Sequence, residues 1–120
     1  MTPQEFIMAL QAGAPFDFED TIDVITANFN YTPTRFKNGL SETAIINDAG
    51  KNEGSCKIFA FAQFMNLDVE TTLRCFGRFY QDVLNTPEGN DHMNIRNFMK
   101  NGWAGIAFEG QALTPKTNQA

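Results

Sequence analysis

Two runs of apolar residues near the start of the chain recur at helical spacing, and each follows a residue suited to begin a helix. Thr2 with Glu5 three residues later is a capping box, in which each side chain accepts a hydrogen bond from the other residue's backbone. Asp17 with Asp20 in the following turn is a similar signal. Pro33 prevents a helix from continuing past the second run. The pattern predicts two amphipathic helices in this part of the chain.

The segment from Ser55 to about Asn66 differs from these helices because it is apolar on every face. A helix of that kind has to be enclosed, which predicts that it is the buried central element of the fold. Residues 34–47 ahead of it form short extended runs interrupted by Asn38-Gly39, and they predict two short strands. Residues 103–108 predict a further strand.

The remaining pattern predicts two more helices and a tail. Asp68 caps a single apolar stripe from Val69 to Val83, and Asp91 caps a short helix after it. Residues 111–120 contain turn formers and no core positions, which predicts a mobile C-terminal tail. Residues 1–110 are thus predicted to be one α+β domain, mostly helical, with a small antiparallel sheet around a buried central helix.

The composition fits one globular domain and excludes several classes of partner. The chain has 120 residues, 42% of them hydrophobic, and a net charge of −5. Nucleic acid and an anionic membrane surface both attract positive charge, so neither is expected as a partner. No apolar run approaches the length of a membrane span, and no secretory signal peptide is visible. The predicted location is therefore the cytoplasm.

Two cysteines and one histidine give little scope for a disulfide framework or a metal centre. Cys56 and Cys75 lie inside apolar helical patterns, which indicates reduced thiols rather than a disulfide. Three widely spaced side chains also fall short of the four ligands of a structural zinc ion. The sequence therefore predicts no metal, and nothing in it indicates a cofactor.

A thiol-based catalytic site is the sharpest chemical hypothesis. Cys56 follows a glycine-containing loop, in the first turn of the predicted central helix, where free N–H groups and the helix dipole favour a thiolate. His92 could act as its base if the fold brings the two together, with Asp91 orienting the imidazole. The alternative is that Cys56 is a small buried hydrophobic residue, since its neighbours along the chain are apolar.

The loops before the central helix and before the last helix carry most of the polar residues that could bind a ligand. Ser55 is a good N-cap, and the glycine loop before it resembles a phosphate cradle without matching a P-loop. The alternative is a tight loop that only begins the helix. Arg96 could bind an anion or pair with Asp91, and Trp103 could cover a cleft or pack in the core. The ligand-binding candidates are Asn38, Asn52, Gly54, Ser55, Lys57, Asn94, Arg96 and Trp103.

Several blocks of the sequence resemble the HopJ family. They are GKNEGSCKIFAFA from Gly50 to Ala62, DHMNIRNFM from Asp91 to Met99 and GWAGI from Gly102 to Ile106. The resemblance covers nearly everything from Phe6 to Leu113. It implies a bacterial protein associated with type III secretion, made in the bacterial cytoplasm, with translocation into a host cell as the further implication. It implies no particular reaction, because the family name describes delivery.

Two functions remain open on the sequence. The first is a HopJ-like protein that acts by binding a protein partner or a small molecule, without turnover of its own. The second is a thiol-dependent hydrolase or transferase that uses Cys56 and His92. The distance between the Cys56 sulfur and the His92 ring, and the presence of an open cleft beside them, distinguish the two hypotheses.

Overall fold

Six helices and five short strands form the regular structure of the part of the chain described here. A computed structural model describes residues 1–116. The helices are α1 (Pro3–Gln11), α2 (Phe18–Asn28), α3 (Glu53–Phe64), α4 (Val69–Arg74), α5 (Arg78–Asn85) and α6 (Met93–Asn101). The strands are β1 (Phe29–Tyr31), β2 (Phe36–Asn38), β3 (Ile45–Asn47), β4 (Ile106–Phe108) and β5 (Leu113–Pro115). The predicted α+β class is confirmed.

The sheet is small and antiparallel. β2 is the central strand of three, with β3 on one side and β4 on the other. Phe36 of β2 is opposite Asn47 of β3 and Phe108 of β4. β1 and β5 form a separate antiparallel pair. The two strands predicted within residues 34–47 correspond to β2 and β3, so local patterning located both of them.

The first two helices begin as their capping residues predict. The Thr2 hydroxyl accepts a hydrogen bond from the Glu5 N–H at 3.1 Å, and the Glu5 carboxylate accepts one from the Thr2 N–H at 2.7 Å. Asp17 and Asp20 make the same reciprocal arrangement at the start of α2. These side chains satisfy N–H groups that the helix itself leaves without partners, and they fix where each helix begins.

Helix α3 is the centre of the core, as its all-round apolar pattern predicts. Phe59 is fully buried, and its ring contacts four other aromatic rings from three different parts of the chain. The partners are Phe36, Phe76, Phe98 and Trp103. Because rings from β2 and α6 meet on α3, this helix sets the positions of the elements that surround the candidate site.

The stripe predicted as one helix from Val69 to Val83 is divided into α4 and α5 at Gly77. Gly77 has φ +57° and ψ −127°, a conformation closed to most other residues. The turn brings the Arg78 N–H to the Asp17 carboxylate, which accepts its hydrogen bond at 2.9 Å. A Cβ on Gly77 would collide with Asp17. The close approach of α2 to this turn therefore breaks the helix.

Two predictions for the C-terminal part of the chain are wrong in part. The strand predicted over residues 103–108 is a 3₁₀ turn at Gly102–Gly105 followed by β4. The mobile tail predicted from Gln111 instead contains β5, which pairs with β1, and Leu113 is buried. The domain therefore extends past residue 110. Ala112 and Leu113 are too short an apolar run to predict a strand, and β5 forms because the fold brings it beside β1. Residues 117–120 of the predicted tail lie outside the described residues.

Candidate functional site

Helix α3 begins earlier than the sequence predicts, and Asn52 rather than Ser55 is its N-cap. Asn52 has a left-handed backbone, with φ +50° and ψ +49°, and its side chain makes no capping hydrogen bond. The first intrahelical hydrogen bond runs from the Cys56 N–H to the Asn52 carbonyl. The N–H groups of Gly54 and Ser55 therefore lie ahead of the intrahelical ladder, at the positive end of the helix dipole.

Helix α6 begins with almost the same backbone geometry. His92 is its N-cap, with φ +50° and ψ +46°, and it too makes no side-chain capping bond. The prediction that Asp91 caps this helix is wrong, because the Asp91 carboxylate accepts a hydrogen bond from Arg96 at 2.6 Å instead. Asparagine and histidine are among the residues that tolerate this backbone conformation best.

The starts of α3 and α6 line a common cavity of about 430 Å³. Five of the predicted site residues line it, and they supply its polar side: Asn52, Gly54, Ser55, His92 and Asn94. The other lining residues are apolar and come from five segments of the chain: Phe18, Ile45, Phe76, Phe79, Met93 and Ile95. The cavity lining therefore combines hydrogen-bonding groups with apolar side chains.

Aromatic rings form much of the apolar side. The rings of Phe18 and Phe79 meet edge to face with their centroids 5.1 Å apart, and the His92 ring lies 5.4 Å from Phe79. Phe18 also packs directly on the start of α3, since a Cβ on Gly54 would lie 2.7 Å from its ring. Phe18, Phe76 and Phe79 form the aromatic wall of the cavity. Glycine at position 54 allows this wall to approach the helix backbone.

Acidic side chains flank His92 on the side of its Nε2 atom. Nε2 lies 3.6 Å from an Asp82 carboxylate oxygen and 3.8 Å from one of Asp91. A hydrogen bond from the Arg96 guanidinium holds the pKa of the Asp91 carboxyl below its usual range. Arg96 also donates to the carbonyl and hydroxyl of Thr86, so it braces the loop before α6 and has little capacity left for an external anion.

A network of asparagine amides, buried except at the exposed Asn52, connects the starts of α3 and α6. Asn47 and Asn94 exchange side-chain hydrogen bonds at 2.9 and 3.1 Å. Asn52 donates to the Asn47 amide oxygen at 2.6 Å. Asn38 donates to both oxygens of Asn94. Asn38, a predicted ligand-binding residue, is fully buried and lies behind the cavity rather than in its lining.

Cys56 lies away from the cavity. It is 1% exposed, and its sulfur contacts the Thr34 carbonyl oxygen at 3.5 Å. Burial raises the pKa of the thiol above its ordinary value, which is the reverse of what a nucleophile at a helix start requires. Among residues 1–116, no hydrogen bond joins Cys56 to His92, and of these two residues only His92 lines the cavity.

Two other ligand-binding candidates have structural contacts elsewhere. The Lys57 ammonium lies over the Tyr31 ring, 4.7 Å from its centroid. The Trp103 indole N–H donates to the Leu67 carbonyl at 2.9 Å, and its ring packs on Phe98. Trp103 is half-buried and packs against the core, which was one of the two interpretations of the sequence. Neither residue lines the cavity within the described chain.

Sequence reasoning missed the aromatic wall and the central residue of the amide network. Phe18 and Phe79 occupy regular positions in amphipathic helices, where a phenylalanine indicates core and nothing more. Asn47 lies at the end of a short strand, where asparagine is an ordinary turn former. The polar residues concentrated in the two loops were the available signal, and they indicated the region without the individual contacts.

Neither a metal centre nor a membrane span is found in residues 1–116. No three histidine, cysteine, aspartate or glutamate side chains in this range lie close enough together to hold a metal ion. No helix in it is both long enough and apolar enough to cross a bilayer.

The fold and the cavity define a small α+β protein whose candidate site lies between two helix starts. The chain belongs to the family described as HopJ type III effector protein, whose model matches residues 3–113. The crystal structure of a protein of unknown function, VPA0580, is similar to it, with a TM-score of 0.88 and 55% sequence identity over 97% of this chain and 95% of that chain. None of the curated proteins compared with the chain matches it.

Proposed function

We propose that this HopJ-family protein acts by binding a small molecule in the cavity between α3 and α6, without catalysing a reaction. The ligand has an apolar body and a polar head that accepts hydrogen bonds. The observation that carries the proposal is the mixed lining, which combines aromatic side chains with the polar groups of two helix starts. Small-molecule sites commonly combine an apolar lining with a few placed polar groups in this way.

The size and the donors of the cavity support this class of ligand. A volume of about 430 Å³ lies in the range of small-molecule sites, which is roughly 300–1,000 Å³. The Gly54 and Ser55 N–H groups precede the intrahelical hydrogen bonds of α3 and can donate to an acceptor in the cavity. The Asn94 and His92 side chains lie on the same side.

The thiol-enzyme hypothesis has less support. It needs a reactive thiolate beside an open cleft and an imidazole within reach, whereas Cys56 is buried with a raised pKa and lies outside the cavity lining. Asp91, the predicted orienting residue, is engaged by Arg96. The remaining cavity groups include no nucleophile that a neighbouring base activates through a described hydrogen bond.

Delivery into a host cell is the second component of the proposal, and the family description supports it. A fusion of the chain to a reporter enzyme that is active only in the cytosol of a host cell tests this component. Signal from bacteria with a working type III apparatus, and none from a secretion-deficient strain, is the expected result. Equal signal from both strains would remove delivery from the proposal and leave ligand binding unaffected.

A fragment screen by protein-observed NMR tests ligand binding. The probes include phenylacetamide, which has a ring for the aromatic wall and a carbonyl for the helix start, and phenylacetate, its charged counterpart. We expect binding fragments to shift the amide signals of Gly54, Ser55 and Asn94 and the ring signals of His92. The protein has a single histidine, so those ring signals need no assignment by mutation.

A pair of methionines on α6 provides the matched control. Met93 lines the cavity and Met99 does not line it, yet both side chains are 40% exposed. Met93→Trp is expected to fill the cavity and abolish the shifts, and Met99→Trp is expected to leave them unchanged. A screen without hits at these residues, or hits that survive Met93→Trp, would contradict the proposed site.

A further inference from the structure

We infer that Asn47 is a positioning residue that holds the two helix starts of the cavity in register, although it does not itself line the cavity. The inference rests on the proposed function, because it concerns the geometry of the proposed ligand site. Asn47 is 1% exposed, so a ligand in the cavity does not touch it. Its influence has to pass through the residues to which it is hydrogen bonded.

Asn47 is bonded to one residue at each helix start. Its amide oxygen accepts hydrogen bonds from the Asn52 amide at 2.6 Å and from the Asn94 amide at 2.9 Å. Its own amide group donates to the Asn94 oxygen at 3.1 Å. Asn52 is the N-cap of α3, and Asn94 lies in the first turn of α6. One side chain thus ties together two helices that are distant in sequence.

These bonds matter because the backbone at both helix starts is in a conformation of limited stability. Asn52 and His92 are left-handed. Asparagine and histidine tolerate this conformation better than most residues, but it still carries a cost that surrounding contacts have to offset. Neither residue uses its side chain to cap its own helix. For Asn52, the described side-chain bond is the one to Asn47. Loss of Asn47 would leave this segment without that constraint.

Burial makes the network sensitive to loss of a single member. In a buried amide network, each unpaired donor carries a desolvation cost that an exposed one does not. Without the Asn47 oxygen, the amide donors of Asn52 and Asn94 both lose an acceptor. Asn94 is buried, so its freed amide can regain a partner only if the start of α6 moves toward solvent. Asn52 is exposed and can bond water, but it loses the bond that ties it to Asn47. The two helix starts are therefore expected to separate.

Asn97 allows this positioning role to be separated from a general contribution to stability. It is also a buried asparagine, 3% exposed, and it lies on α6. Its amide donates to the main-chain carbonyls of Asn38 and Thr43, and it does not line the cavity. Asn97→Ala therefore removes a comparable buried amide without cutting a bond to Asn52 or Asn94.

The experiment compares Asn47→Ala with Asn97→Ala in the full chain. Both are expected to lower the melting temperature. Only Asn47→Ala is expected to move the His92 ring signals and the Gly54 and Ser55 amide signals in the free protein, and to weaken binding of phenylacetamide or phenylacetate. In metal sites, residues that hydrogen bond to the metal ligands change the affinity by about tenfold or more when they are mutated. We expect Asn47→Ala to weaken the affinity for the bound probe by a factor of that order.

If Asn47→Ala does not fold, Asn47→Asp provides the second test. The aspartate retains an oxygen that can accept from Asn52 but loses the donor to the Asn94 oxygen. The α6 signals of Asn94 and His92 are then expected to move, while Gly54 and Ser55 on α3 stay in place. Equal movement at both helix starts, or at neither, would overturn the positioning role.

The free-protein signals keep this inference separate from the proposed function. Suppose that neither probe binds the wild-type protein, but Asn47→Ala still moves the His92, Gly54 and Ser55 signals and Asn97→Ala does not. The positioning role then stands and the ligand proposal fails. If a probe binds wild type and both alanine variants equally, with the His92 signals unchanged, the positioning role is wrong and the ligand proposal stands.

Discussion

At the scale of single residues, the surroundings of a side chain decide its chemistry more than its place along the chain. Cys56 is in the first turn of a helix, where a thiolate is favoured, yet burial raises its pKa and removes that advantage. Thr2, Asp17 and Asp68 cap helices as their types predict, because capping bonds are made within a few residues. The left-handed starts at Asn52 and His92 depend on tertiary contacts and are not visible in local sequence.

Cys56 is expected to resist alkylation by iodoacetamide at neutral pH until the protein unfolds. The raised pKa lowers the thiolate fraction, and burial requires local opening before reaction, so labelling is expected to be about a hundredfold slower than for a free thiol. Peptide mass spectrometry measures the label with and without urea. Cys75 is the internal control, since burial raises its pKa to about 12. Rapid native labelling of Cys56 with Cys75 protected would revive the thiol-enzyme hypothesis.

Arg78→Gln is expected to reduce the loss of stability that acid causes. The Arg78 guanidinium donates two hydrogen bonds to Glu19, which lower the pKa of that carboxyl. A lowered folded-state pKa means that the contribution is present at neutral pH and is lost as the pH falls through about 4 toward the folded value. In the variant, Glu19 loses this contribution, whereas Asp17 retains the backbone donors that chiefly lower its own pKa.

Urea denaturation at pH 7 and pH 3 measures this difference. The free energy of unfolding at pH 7 should fall in Arg78→Gln. The gap between the free energies of unfolding at pH 7 and pH 3 should narrow. Arg74→Gln is the control, because it removes one ion pair within a single helix. An unchanged gap in Arg78→Gln would show that this ion pair is too well solvated to matter.

At the scale of elements, the strength of the hydrophobic pattern determines how well each segment is predicted. The apolar pattern of α3 identified the central helix, because a helix of that kind has to be mostly buried, although Gln63 and Phe64 at its end are exposed. The stripe from Val69 to Val83 was continuous in sequence, and only the contact of Asp17 with the turn at Gly77 divides it into α4 and α5. A break imposed by a neighbouring helix does not interrupt the spacing of the apolar residues, so Gly77 is the local sign of it.

Phe59→Ala is expected to destabilise the protein by about 3–5 kcal/mol, the range for deleting a buried aromatic side chain. Phe59 is fully enclosed, and rings from β2 and α6 pack on it. Chemical denaturation gives the free energy of unfolding. Phe64→Ala on the same helix is the control, since Phe64 is 51% exposed and should cost about 1–2 kcal/mol. Similar losses for the two variants would place the core elsewhere.

At the scale of the whole molecule, contacts between distant segments are what the sequence did not predict. β1 and β5 have little strand signal alone, and each becomes a strand because the other is beside it. The cavity has the same character. Its polar lining residues were among the predicted candidates because two loops concentrate polar side chains. Its aromatic wall comes from α2 and the α4–α5 segment, whose phenylalanines resemble ordinary core residues.

Leu113→Ala tests whether the C-terminal strand is part of the folded domain. Leu113 is buried in β5, and its truncation is expected to cost about 2–5 kcal/mol. Thr114→Ala on the exposed side of the same strand should change stability by no more than about 0.5 kcal/mol. Thermal or urea unfolding measures both. A near-neutral Leu113→Ala would restore the prediction of a tail without a structural role.

The strand order also has a consequence for the rate at which the protein folds. Pairing β2 with β4 joins segments from opposite parts of the chain and closes a long loop, which carries a large entropy cost. Once that pair exists, β1 and β5 are each only a short connection away from it, so they can join cheaply afterwards. Changes in β2 should therefore slow folding, whereas Leu113→Ala should leave the folding rate nearly unchanged and accelerate unfolding. The last strand thus governs how long the native state persists rather than how quickly it forms.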